Sequence, residues 1–231
     1  MMNDIKSNPG QRTILFWTGV LATIGAIVVG VGEFMFQYSP RGGYEGHDYL
    51  YFLDVSRWRL SVGHFLGVLV APVYLVGYWH VAQMLKPAGW MIAGSVFGMG
   101  VYAFAIGNVW LGGRVNLALT VQAREMAPPE MKQQLSDLLL DISAHNEPLI
   151  NVVRVLVLLV SLVMAWGILS GRSNYPRWAV VVLPILLLVL IFASYVVIPA
   201  LGGLLLPAAM NIAHAIFFAV STLIAFRLGT K

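Results

Sequence analysis

Apolar residues run in long stretches along this chain, and short clusters of Gly, Pro, Lys or Arg separate them. A helix rising about 1.5 Å per residue crosses roughly 30 Å of hydrocarbon in about 20 residues. Six stretches reach that length: Thr13–Gln37, Leu60–Gln83, Ala88–Gly112, Leu149–Gly171, Trp178–Pro199 and Pro207–Arg227. They predict an all-α, polytopic membrane protein, with residues 1–231 forming a single six-span transmembrane bundle. The first stretch reads as an uncleaved anchor. Its apolar run is too long for a signal peptide, and no small-x-small cleavage site follows Glu33.

The long polar segments fall on one side. One runs from about Tyr38 to Arg59, the other from Gly113 to about Pro148. In the second, Pro128 and Pro129 suit a first helical turn. Met131, Leu135, Leu138, Leu139 and Ile142 then recur at helical spacing, which predicts a short amphipathic helix lying on the outer surface. Gly94, Gly98 and Gly100 lie within an apolar span and read as a small-residue stripe for close helix packing. Pro184, inside the fifth span, reads as a kink.

Charge sets the direction. The segments at the other side carry Lys6, Arg12, Lys86, Arg172, Arg177, Arg227 and Lys231 against Asp4 alone. The remaining seven basic and nine acidic residues fall on the opposite side. The positive-inside rule therefore places both termini in the cytoplasm, with a bacterial inner membrane as the expected setting. The net charge of +4 is spread singly over span ends, so it indicates membrane topology and no nucleic-acid partner.

Composition narrows the chemistry. Hydrophobic residues make up 59% and charged residues 10%, against about 25% charged in soluble domains, which excludes a soluble globular or disordered chain. The absence of cysteine removes disulfides, thiolate metal sites and cysteine nucleophiles. No lysine lies deep in a span to carry a retinal Schiff base, and no phosphate-binding or dinucleotide fingerprint occurs.

Polar residues inside spans are costly and mark function by default. Glu33, His64, Asn108, Arg154, Asn211 and His214 come from five predicted spans and all fall in the outer half, some 6–10 Å inside the span ends where that can be counted. That common depth predicts a shared polar chamber open to the outer face. In the fourth span Glu147, Asn151 and Arg154 are spaced i, i+4, i+7 and share a face, with Asn146 or Glu147 expected near the helix start and Pro148 in its first turn. Arg154 then needs a carboxylate, for which Glu147 and Glu33 are the candidates. His64, His145, His214, Glu33 and Glu147 are the candidate catalytic residues, and Arg154, Asn108, Asn151 and Asn211 the candidate substrate-binding ones. His64, His145 and His214 suit a divalent metal such as zinc, with a single haem as the lesser alternative. His47 is expected in solvent and His80 at the inner interface, where the bundle reads as almost purely apolar. The leading expectation is an enzyme acting on a lipid or amphiphilic substrate by acid–base or metal-assisted chemistry. A non-enzymatic binder or transporter, or a structural subunit of a membrane complex, are the alternatives.

Overall fold

The computed structural model describes residues 9–44, 46 and 48–228. His47 and Glu45 lie outside the described residues, as do Lys6, Asp4 and Lys231 of the charge argument. The described residues form α-helices and short 3-10 turns, with no strand among them. The helices are α1 (Pro9–Gln37), α2 (Arg57–Val70), α3 (Val73–Leu85), α4 (Trp90–Met126), α5 (Pro129–Leu169), α6 (Pro184–Val197), α7 (Pro199–Leu205) and α8 (Ala209–Leu228). Five stretches are long and apolar enough to cross a membrane: α1, α2 with α3, α4, α5, and α7 with α8. Their outer faces are apolar, as Ile14, Trp17, Leu21 and Ile24 on α1 and Val155, Leu158, Leu159 and Leu162 on α5 show. Exposed apolar surface on this scale belongs to a multi-pass integral membrane protein.

Proline decides where the predicted spans break. Pro72 has no N–H, so the ladder ending in the Ala71 N–H to Gly67 carbonyl bond gives way to three-residue turns, and the second span becomes α2 and α3. The fifth span is also divided. Arg177–Val182 is a 3-10 turn, Leu183 is extended ahead of Pro184, and Pro184 opens α6 instead of kinking it.

The opposite correction applies to α4 and α5. The third span does not stop at Gly112; α4 continues to Met126. The predicted surface helix is not separate, because α5 runs unbroken from Pro129 to Leu169 with Pro148 in its interior. Asn146 and Glu147 are therefore mid-helix residues and cap nothing. At 37 and 41 residues these helices measure roughly 56 and 62 Å, about twice the hydrocarbon thickness. They form a hairpin that turns at the extended residues Ala127 and Pro128.

Close packing is concentrated where α1 crosses α2. A Cβ added at Gly32 would fall 2.8 Å from the Gly63 carbonyl oxygen and from the Gly67 nitrogen, and one at Gly63 would fall 2.5 Å from the Gly32 carbonyl. The small-residue seam is thus Gly63 and Gly67 against Gly32. Gly94 and Gly98, read from sequence as such a seam, face open space, and only Gly100 meets a neighbour, the Tyr78 ring. We predict that Gly63→Ala lowers stability in detergent by about 1–3 kcal/mol, the usual cost of overpacking, whereas Gly98→Ala leaves it unchanged. Thermal melts of the two variants check this; equal effects would remove the seam from the account.

Candidate functional site

Nine side chains form one hydrogen-bonded chain through one half of the molecule. Tyr74 on α3 donates to Asn211 Oδ1 on α8 at 2.5 Å, and Asn211 Nδ2 donates to Glu33 Oε2 on α1 at 2.5 Å. Gln37, one turn beyond Glu33, donates from Nε2 to Glu33 Oε1 at 2.9 Å and to the Pro207 carbonyl at 3.2 Å. Arg114 on α4 donates to Gln37 Oε1 at 3.5 Å, to the Tyr51 hydroxyl, and to Glu147 Oε1 on α5 at 2.5 Å. Glu147 Oε1 also accepts from the Tyr49 hydroxyl at 3.0 Å, and Tyr49 and Ser143 share a 2.7 Å bond.

Arg114 is the centre of this arrangement. Only 5% of it is exposed, and its guanidinium lies 5.2–5.4 Å from the ring centroids of Trp110, Phe52 and Tyr49. Aromatic faces attract a cation most strongly where water is excluded. Glu147 pairs with it directly, and Glu33 is reached through Gln37.

The segment between α1 and α2 forms a roof over this chain. Asp54 accepts from Ser39 and from Arg41, Arg59 donates to the carbonyls of Tyr38 and Asp54, and Gln122 on the extended part of α4 donates to the carbonyls of Phe52 and Val55. Burial pushes the Tyr51 phenol up to about 12 against the opposing pull of Arg114, so it stays protonated. The hydrogen bond from Arg41 holds the Asp54 carboxyl below its ordinary value of 3.8.

Two cavities adjoin the chain and share Glu33, Trp110, Ile150 and Met210 as walls. The outer one encloses about 660 Å³ beneath the roof, with Arg114, Glu147, Asn151 and Arg154 on one side and Leu188 and Phe192 of α6 on another. The inner one is smaller, about 110 Å³, and mainly apolar. Tyr74, Asn211 and Glu33 bond to one another in its wall, whereas Asn108 Oδ1 and Trp110 Nε1 are buried there without a hydrogen-bond partner among the described residues. His214 Nδ1 lies 2.8 Å from the Met210 carbonyl and must donate to it, so Nε2 accepts from the Tyr78 hydroxyl at 2.9 Å.

The nine sequence-predicted residues divide accordingly. Glu33, Glu147, Asn151 and Arg154 line the outer cavity, and Glu33, Asn108, Asn211 and His214 the inner one. His64 and His145 line neither. His64 packs its ring edge against Phe65, and His145 is exposed with Nδ1 on the Asp141 carbonyl of its own helix. Among the described residues no three His, Asp or Glu side chains stand close enough to hold a metal ion, so the three histidines supply no zinc site together. Arg154 does not pair with Glu147 or Glu33; it is exposed and donates to Asn151 Oδ1 at 3.0 Å. Sequence reasoning missed Arg114, Gln37, Tyr49, Tyr51, Tyr74 and Tyr78. Arg114 was legible: with Leu111, Leu117, Ala118 and Val121 it completes a buried stripe at helical spacing.

His80 requires a second correction. It is fully buried and bonds through Nε2 to Ser221 Oγ at 2.7 Å, and Ser221 bonds to the Tyr175 hydroxyl at 2.7 Å. The half away from the chamber therefore has its own polar cluster joining α3, α8 and the segment after α5, and His80 is buried within it.

Fold and site together define a multi-pass helical membrane protein with a partly roofed, charge-lined chamber in one half of the bundle. The chain belongs to DUF6796, a family of unknown function, whose profile matches residues 11–227. No curated protein and no solved structure matches it.

The roof carries a pH prediction. A carboxyl whose folded value is lowered contributes stability above its ordinary value and loses it as pH falls through the folded one. Amide-exchange protection at Phe52 and Val55 should therefore hold from neutral pH down to about 4 and fall below it, and Asp54→Asn should already lack that protection at neutral pH. Protection unaffected by either change would remove Asp54 from the roof.

Proposed function

We propose that this protein binds an amphiphile taken from the outer leaflet, with the polar end in the large chamber and an apolar group in the small cavity beneath. The observation that carries this reading is the pairing of the two cavities across Glu33 and Trp110, one charged and one apolar. A volume of about 660 Å³ falls in the range of small-molecule sites, roughly 300–1,000 Å³. The inner volume of about 110 Å³ is somewhat below the ~150 Å³ of an apolar cavity that admits benzene, so it suits a short piece of chain or a small ring. Entry from the side, between α5 and α6, is supported by Arg154, Asn151 and Phe192, which line the chamber and are also exposed.

Six crossings with both termini cytoplasmic belong to the same proposal. The fifth is composite. The 3-10 turn at Arg177–Val182 and α6 at Pro184–Val197 add up to roughly 33 Å, whereas α6 alone spans about 21 Å. Lys86, Arg172, Arg177 and Arg227 at the end away from the chamber support the orientation.

Binding is favoured over chemistry because Glu33 and His214 are already engaged by neutral protein partners. Both oxygens of Glu33 accept amide N–H groups, and both nitrogens of His214 are engaged. An enzyme remains the second reading. It is favoured by the Tyr78–His214 pair in the wall of the inner cavity, where acid–base groups meet a bound apolar group. Transport is less supported, since Met84, Leu85, Ile168 and Phe218 are fully buried in the packing of the other half.

Gly107 provides the test. It lines the inner cavity, and a Cβ there makes only an ordinary 3.7 Å contact with Val153. Gly107→Leu should fill the cavity, abolish the co-purified amphiphile seen by native mass spectrometry of the wild type, and leave the melting temperature in detergent unchanged. Retention of the same ligand by the variant, or a wild type that carries none even after incubation with total membrane lipid, would overturn the reading.

A further inference from the structure

The charges of the outer chamber are separated, and their arrangement specifies a ligand. On one side of the chamber two acidic side chains, the buried Glu33 and the partly exposed Glu147, share one buried cation, Arg114. Glu33 accepts one amide N–H on each oxygen, and each carboxyl oxygen can accept a second donor. Glu147 receives both of its donors on Oε1, and Oε2 accepts none among the described residues. That side therefore places two carboxyl groups around a single cation, with open acceptor sites that a cationic donor would fill. At the exposed edge the imbalance is reversed. Arg154 lines the same chamber, bonds only to the neutral Asn151, and has no carboxylate within ion-pair distance among the described residues.

Open acceptor sites in a water-poor pocket favour a cationic donor, and an unpaired guanidinium at its exposed edge attracts an anion. We infer that the polar end of the ligand is zwitterionic, with an ammonium group directed inward to Glu33 and Glu147 and an anionic group such as a phosphate or carboxylate held at the edge by Arg154. This rests on the amphiphile-binding reading above and narrows it to one class of headgroup. A purely anionic amphiphile would satisfy Arg154 and leave the open acceptor sites of Glu33 unfilled. A purely cationic one would do the reverse.

Three probes with one chain isolate the headgroup: dodecylphosphocholine, dodecyl phosphate and dodecyltrimethylammonium. Their binding to the full-length protein in dodecyl maltoside is measured by calorimetry. The zwitterion should bind at least about tenfold tighter than either single-charge probe, the scale of one charge-assisted hydrogen bond. Arg154→Gln, at an exposed position, should erase the preference over the cationic probe. Glu33→Gln should erase the preference over the anionic probe, with a melting curve establishing that the variant is folded. If Glu33→Gln does not fold, Glu147→Gln serves the same comparison. Equal affinity for all three probes, or variants that keep the wild-type preference, would overturn the zwitterion and leave amphiphile binding standing. Binding of none would overturn both. Phosphocholine without a chain separates a lipid from a free solute. Weaker binding than its dodecyl ester upholds the lipid, and equal binding keeps the zwitterion while overturning the amphiphile.

Discussion

A guanidinium buried in one half of a membrane bundle, shared between two carboxyl groups, constrains everything around it. Removing an arginine from water costs several kcal/mol, and the cost is recovered only when geometry and hydrogen bonding are nearly complete. Arg114 meets that requirement with one direct carboxylate, one carboxylate relayed through Gln37, a phenol, and three aromatic rings. Each partner comes from a different part of the chain: α1 supplies Glu33 and Gln37, the roof supplies Tyr49, Tyr51 and Phe52, α4 itself supplies Trp110, and α5 supplies Glu147. No two of these elements can shift independently without leaving a buried charge short of a partner.

The long hairpin of α4 and α5 follows from the same constraint. If α4 ended at Gly112, Arg114 would lie in a loop and its charge would be free to turn to water. Continuation of the helix to Met126 fixes the side chain on the buried stripe, and Gln122 two turns further on holds the roof down by two carbonyls. The extension of α5 brings Ser143 and Glu147 to face it. The chamber is therefore walled by the stretches of both helices beyond Gly112 and before Leu149.

Much of the fold was legible because hydrophobicity and length are direct statements about burial in lipid. The apolar stretches at Thr13, Leu60, Ala88, Leu149 and Pro207 all reappear as parts of long helices. What failed was the reading of their ends. Hydropathy falls after Gly112 and before Leu149, yet water can solvate a helix as well as a loop, so polarity alone gave no stop. Proline misled in both directions. Pro148 stands inside a helix that neighbouring packing sustains, while Pro72 and Pro184 break theirs. At the site, a shared depth along the sequence identified Glu33, Asn211 and His214, which the structure brings to adjoining walls. Depth says nothing about which way around a helix a side chain points, and that is why His64 and His145 were included. The same limit explains Arg154, which shares a helix face with Glu147 and yet points to Asn151, while Glu147 pairs with Arg114 of the neighbouring helix.

The most direct measurement of the central claim is a double-mutant cycle between Arg114→Met and Glu147→Gln, read as unfolding free energy in mixed detergent micelles. Each single change strands a partner, so the cost of Arg114→Met should reach about 3 kcal/mol, and the double variant should lose less than the two singles together by more than about 1 kcal/mol. Losses that add to within about 0.5 kcal/mol would mean that the two residues stand near one another without holding the chamber together.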